Sequence, residues 1–126
     1  MAEILIIDDD PQMRRVVAQI LKGAGHTPHE AANGKEGIAV FQRQRPALVI
    51  SDIVMPDMEG IETILTLRRE APTIPILAIS GRRDPNYLRF ATTLGASAAL
   101  DKPFGAEELL ATVEKLLNSQ TTEPGC

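Results

Sequence analysis

The sequence predicts an α/β fold: a single doubly wound domain whose parallel sheet is covered by helices on both faces. Three observations carry this. Short apolar runs rich in β-branched residues, such as Ile4-Leu5-Ile6-Ile7 and Ala47-Leu48-Val49-Ile50, read as buried strands. Between the runs lie segments with apolar residues at helical spacing. The two kinds of segment alternate five times through short loops, as parallel crossovers require.

Ile4 to Ile7 runs into Asp8-Asp9-Asp10, a buried strand ending in an acidic loop. Asp10 is placed to cap the next helix and Pro11 to enter its first turn. Met13, Val16, Val17, Ile20, Leu21 and Ala24 follow at helical spacing, and Gly23 and Gly25 end the helix. Thr27 to Ala31 is a weak strand that Pro28 assigns to a sheet edge. Gly34 to Gln44 is a short helix ending before Pro46. The next buried strand stops at Asp52 and is closed by Met55-Pro56-Asp57. A helix opens at Glu59 or Gly60, turns Ile61, Ile64, Leu65 and Leu67 to one side, and stops near Pro72. Ile74 to Ile79 is a strand interrupted near its start by Pro75 and followed by Ser80-Gly81. Pro85 to Leu94 is helical and ends at Gly95. Ser97 to Leu100 is a short strand before Asp101-Lys102-Pro103-Phe104. The last helix runs from about Ala106 to Leu117. Residues 1–118 form the domain, and Ser119 to Cys126 is a polar, flexible tail.

A chain of 126 residues suits one domain with a real core. Aromatic residues make up only 3%, so that core is aliphatic. A net charge of −4 argues against a nucleic-acid footprint, which is basic and clustered. No apolar run approaches the roughly 20 residues of a membrane span, and no signal peptide precedes the first strand. The single cysteine, Cys126, cannot form an internal disulfide. A cytoplasmic location is expected.

The polar residues at the strand ends carry the chemistry. The first strand ends in Asp8 and Asp9, the third in Asp52, the fourth in Ser80, and the fifth leads into Lys102. In a doubly wound sheet these carboxyl ends line one rim. Three clustered carboxylates repel one another unless protons or a cation compensate. A hard oxygen pocket with room for water suits Mg²⁺, which also accepts phosphate oxygens. Lys102 adds a fixed positive charge and Ser80 a hydrogen-bond donor. Phosphoryl transfer needs little more than positioning and charge neutralisation. A carboxylate, here Asp52, can attack and become an acyl phosphate.

This pattern resembles the receiver domain of two-component response regulators. The resemblance spans about residues 3 to 118 and rests on four motifs in order. These are Asp8-Asp9, Asp52 with Met55-Pro56-Asp57 and Gly60, Ser80-Gly81, and Lys102-Pro103-Phe104. It implies a CheY-like (flavodoxin-like) fold with strand order 2-1-3-4-5. It makes Asp52 the phosphoacceptor. It assigns Mg²⁺, for which Mn²⁺ substitutes, to Asp9 and Asp52, to Asp8 directly or through water, and to the Val54 backbone carbonyl. Ser80 becomes the switch hydroxyl, and Lys102 bonds a phosphoryl oxygen. Pro56, Gly60, Gly81 and Pro103 shape the site, with the Lys102–Pro103 bond cis. The implied partners are a histidine kinase or histidine phosphotransfer protein and a downstream protein target, with no direct nucleic-acid or membrane contact. Homodimerisation through the fourth and fifth helices is permitted by the small residues Gly95 to Ala99 and not demanded by them.

One departure stands out. The family usually has Tyr or Phe three residues before the lysine, and this chain has Ala99. Readout is then expected from the loop after Ser80 and the helix near Tyr87 and Phe90. Because the chain ends soon after the last helix, a stand-alone receiver and a fragment of a larger regulator are both open. Two other readings compete: a degenerate receiver that binds partners without phosphorylation, and an aspartate-nucleophile phosphatase using Asp8. Asp10 reads as a cap. Arg14, Arg15, Arg82 and Arg83 read as solvated, although in the family the first helix contacts the phosphodonor. His26 and His29 read as surface residues.

Overall fold

The computed structural model describes residues 2–53, 59–80, 89 and 92–121. The strands are β1 (Glu3–Ile7), β2 (Thr27–Ala31), β3 (Leu48–Asp52), β4 (Ile76–Ser80) and β5 (Ala98–Asp101). The helices are α1 (Pro11–Gly23), α2 (Gly34–Gln44), α3 (Glu59–Glu70) and α4 (Ala106–Thr121). Arg89 and residues 92–94 are also helical, within the stretch where the sequence predicts a helix between β4 and β5.

The strands pair in parallel, in the order β2-β1-β3-β4-β5. This is the expected order, with β2 and its Pro28 at an edge. Strands β3 and β4 are buried along their whole length, which is why they read as unbroken apolar runs. Side chains alternate between the two faces. Leu5, Ile7, Val49 and Ile76 meet Val40, Phe41, Ile64 and Leu67 of α2 and α3. Ile4, Ile6, Ile50, Leu77 and Ile79 meet Val17 and Leu21 of α1 and Leu109 and Val113 of α4.

Local sequence accounts for most boundaries. The Asp10 side chain accepts from the backbone N–H groups of Gln12 (3.0 Å) and Met13 (3.4 Å), capping α1 as expected. At the other end of α1, Gly25 takes φ +93°, a left-handed conformation that glycine adopts without strain. Strand β4 starts at Ile76, later than the predicted Ile74, because Pro75 has no N–H to give the ladder; its carbonyl still accepts from Val49 (3.1 Å). Helix α4 continues through polar residues to Thr121, past the last apolar residue where the sequence puts its end. Residues 122–126 lie outside the described residues. Arg68 ties the end of α3 to the turn before β5, donating to the carbonyls of Ala71 (3.1 Å), Ile74 (2.7 Å) and Gly95 (2.6 Å).

His26 departs from its sequence reading. It is buried, 4% exposed, and its Nδ1 accepts the Ala2 N–H at 3.1 Å. Its Nε2 lies 3.3 Å from Glu114 of α4. Partners from both ends of the chain enclose it, and local pattern carries no signal for that. Among the described residues, no helix is long and apolar enough to cross a membrane.

Candidate functional site

The register builds the site. Ile7 of β1 pairs with Ser51 of β3, so Asp8 and Asp52 stand side by side at the carboxyl rim. The Asp8 N–H donates to the Ala31 carbonyl of β2 (3.1 Å), so the chain leaves the sheet at a fixed angle. The Ile53 N–H donates to Ile79 (3.0 Å), holding the chain just past Asp52 against β4. The Lys102 N–H donates to the Ser80 carbonyl (2.7 Å), which brings the residue after β5 to the same rim. The Lys102–Pro103 peptide is cis.

Three carboxylates converge there. One oxygen from each of Asp8, Asp9 and Asp52 lies within 4.8 Å of the others. Asp8 and Asp52 are buried and Asp9 is exposed, so the cluster opens to solvent on the Asp9 side. The Lys102 ammonium sits 3.2 Å from Asp8 Oδ2 and 3.2 Å from Asp52 Oδ2. Burial alone would push its pKa down; the charges of Asp52 and Asp8, and hydrogen bonds to both, reverse this and hold it above the ordinary lysine value. One ammonium still faces three carboxylates. The remaining acceptors are all hard oxygens beside water, a set that fits a small divalent cation keeping part of its hydration shell.

Ser80 is fully buried at the end of β4. Gly60 presses α3 against the chain that leaves β3: a Cβ there would lie 2.6 Å from the Ile53 Cα and 2.7 Å from the Asp52 carbonyl oxygen. Ala99, half-buried on β5, packs against the core on the α2 and α3 side. Val54, Met55, Pro56, Asp57 and Gly81 lie outside the described residues, as do Arg82, Arg83, Tyr87 and Phe90.

The chain matches the response regulator receiver domain model over residues 4–114. It belongs to that family. A probable transcriptional regulatory protein, TcrX, of Mycobacterium tuberculosis is 32% identical over 114 residues, covering 90% of this chain and 49% of its own. The sensor kinase CckA of Brucella abortus is 31% identical over 121 residues, 94% of this chain and 13% of the kinase. The crystal structure of a CheY-like receiver domain protein from Methanospirillum hungatei superposes with a TM-score of 0.90 at 30% identity, over 97% of this chain and 98% of the other. The chain spans about half the length of the first curated relatives it matches. It is thus a receiver of the two-component type.

The site also contains a residue that its sequence position does not reveal. The Arg14 side chain is only 18% exposed. Its Nη1 donates to the Asp8 backbone carbonyl at 2.7 Å, and its Nε donates to Glu30 of β2 at 3.1 Å. The proximity of α1 to the acidic loop is visible in the sequence; Glu30, which orients the guanidinium, comes from a separate element.

Proposed function

We propose that this receiver accepts a phosphoryl group on Asp52 from a phosphohistidine of a kinase or phosphotransfer protein, and that the modification switches its contacts with a downstream protein in the cytoplasm. The observation carrying this reading is the convergence of Asp8, Asp9 and Asp52 with Lys102 at hydrogen-bond distance. An Asp52 oxygen bonds to phosphorus, the donor's P–N bond breaks, and the imidazole keeps the electron pair and takes a proton. Asp52 becomes an aspartyl phosphate. Asp8, Asp9 and Asp52, with the Val54 carbonyl, would hold Mg²⁺ or Mn²⁺. When bound there, the cation supplies positive charge to the phosphoryl oxygens.

The chain's own residues do the rest. Lys102 lies within reach of an oxygen on the group added to Asp52 and supplies a charge-assisted hydrogen bond. Ser80, on the neighbouring strand, offers a hydroxyl as the switch donor. Gly60 seats the start of α3 against the chain beside Asp52, and the family pattern would give Pro56, Gly81 and Pro103 a like role in shaping the site. Both Asp8 oxygens accept hydrogen bonds, one from the Asp10 N–H (2.9 Å) and the other from Lys102 (3.2 Å), and the side chain is fully buried. That weighs against a phosphatase built on Asp8. Ala99 favours a second reading, a receiver that binds partners without phosphorylation.

Intact-mass measurement after incubation with a small acyl phosphate decides between the two. The expected result is a gain of one phosphoryl group that requires Mg²⁺ and is lost in Asp52→Asn. No gain under any condition leaves only the phosphorylation-independent module.

A further inference from the structure

We propose that Arg14 is a positioning residue for the cation: it fixes the peptide that orients Asp9. This rests on the reading above, in which Asp9 is a metal ligand. Asp9 projects from a loop and is the exposed member of the cluster. A side chain on a free loop would spread its carboxylate over many positions, and ordering it on binding costs conformational entropy. The structure removes that freedom one peptide at a time.

The peptide entering Asp8 is held to β2 through the Asp8 N–H and the Ala31 carbonyl (3.1 Å). The peptide entering Asp9 has its carbonyl, that of Asp8, bonded by the Arg14 guanidinium at 2.7 Å. The peptide leaving Asp9 has its N–H, that of Asp10, bonded by the Asp8 carboxylate at 2.9 Å. The planes before and after a residue set its φ and ψ. Asp9 therefore stands between two pinned peptides, one of them held by Arg14. Glu30 takes the Nε–H at 3.1 Å and aims the guanidinium fork back across the loop. Charge-assisted bonds of this length are the stronger kind, and the partly buried side chain limits competition from water.

Second ligand shells of this type commonly govern metal affinity, and their removal costs roughly tenfold or more. Arg14→Gln should therefore weaken Mg²⁺ binding to the unphosphorylated protein by roughly tenfold, read by calorimetric titration. The phosphorylation rate should fall at limiting Mg²⁺ and recover most of its value at saturating Mg²⁺, while the melting temperature stays close to that of the parent. Arg14→Lys keeps one donor without the fork and should recover part of the affinity. Glu30→Gln leaves Arg14 in place without its charged aim and should weaken binding in the same direction by less.

Mg²⁺ affinity unchanged in Arg14→Gln, in a parent protein that binds Mg²⁺ and takes the phosphoryl group, overturns the proposal and leaves the functional reading intact. An equal fall in rate at limiting and saturating Mg²⁺ overturns it too, since the defect then lies outside cation binding. A parent that neither binds Mg²⁺ nor gains a phosphoryl group overturns the functional reading, and this inference with it.

Discussion

Lys102 shows how single residues at the rim constrain one another. Its ammonium bridges two buried carboxylates, so folding strengthens its hold on the proton and its pKa rises. The sign follows by linkage: a raised value means that the stabilisation is fully present below the ordinary lysine pKa of 10.5 and is lost as pH climbs through the higher folded value. The stability difference between the parent and Lys102→Met should thus hold constant across the neutral range and shrink only above about 10.5. Denaturant melts across alkaline pH measure it; a difference that vanishes near neutrality would show that the bridge does not form. The site is partly legible in the sequence for a related reason. Asp8, Asp9, Asp52 and Lys102 each stand within two residues of the end of an apolar run, and parallel strands bring such ends together. Arg14 and His26 belong to no run, and their burial depends on Glu30, Asp8, Ala2 and Glu114, partners that only the folded chain delivers.

Among the elements, α3 is seated against backbone. Its Gly60 meets backbone atoms, the Ile53 Cα and the Asp52 and Ile53 carbonyl oxygens, at 2.6–2.7 Å from a notional Cβ. Backbone cannot rotate away, so Gly60→Ala should cost about 1–3 kcal/mol by overpacking and shift the chain beside Asp52. Gly37 of α2 is the control. A Cβ there has the Ile7 side chain as its three nearest neighbours, at 2.4, 2.7 and 3.4 Å, so a buried side chain rather than backbone must give way, and a helix gains about 1 kcal/mol from replacing an interior glycine with alanine. Urea midpoints should rank Gly60→Ala well below Gly37→Ala; the reverse order would mean that α3 can back away from β3 freely. The same comparison explains which boundaries were legible. Helix α2 runs from Gly34 to Gln44 as expected, its end marked in the sequence by the approach to Pro46; in the structure the Asn33 side chain caps its start by accepting from the Glu36 N–H. The end of α4 is not marked, because Asn118 and the residues after it add helical turns without adding an apolar face.

At the scale of the whole molecule, one sheet serves two cores, and the carboxyl ends of its strands carry the site. Ile64 of α3 belongs to the core on one face and Leu109 of α4 to the core on the other, both fully buried. If the faces melted separately, a perturbation on one side would leave the other standing, and the rim would lose only some of its residues. The shared strands argue against that: Leu5 and Ile7 face one core while Ile4 and Ile6, their neighbours in β1, face the other. Loss of either helix layer exposes a face of the same strands to water, so the two losses cannot be independent events. Ile64→Val should cost about 0.5–1.5 kcal/mol and Leu109→Ala about 2–5 kcal/mol. Each should move one cooperative transition without changing its denaturant slope. Because the two side chains lie across the sheet and share no packing cluster, the double variant should show the sum of the two costs to within about 0.5 kcal/mol. Unfolding followed by both far-ultraviolet circular dichroism and the amide resonances of Asp8 and Lys102 tests this. Coincident curves in all four proteins are the expected outcome, whereas a double variant that loses α4 at one denaturant concentration and the Asp8 signal at another would show two folding units meeting at the sheet.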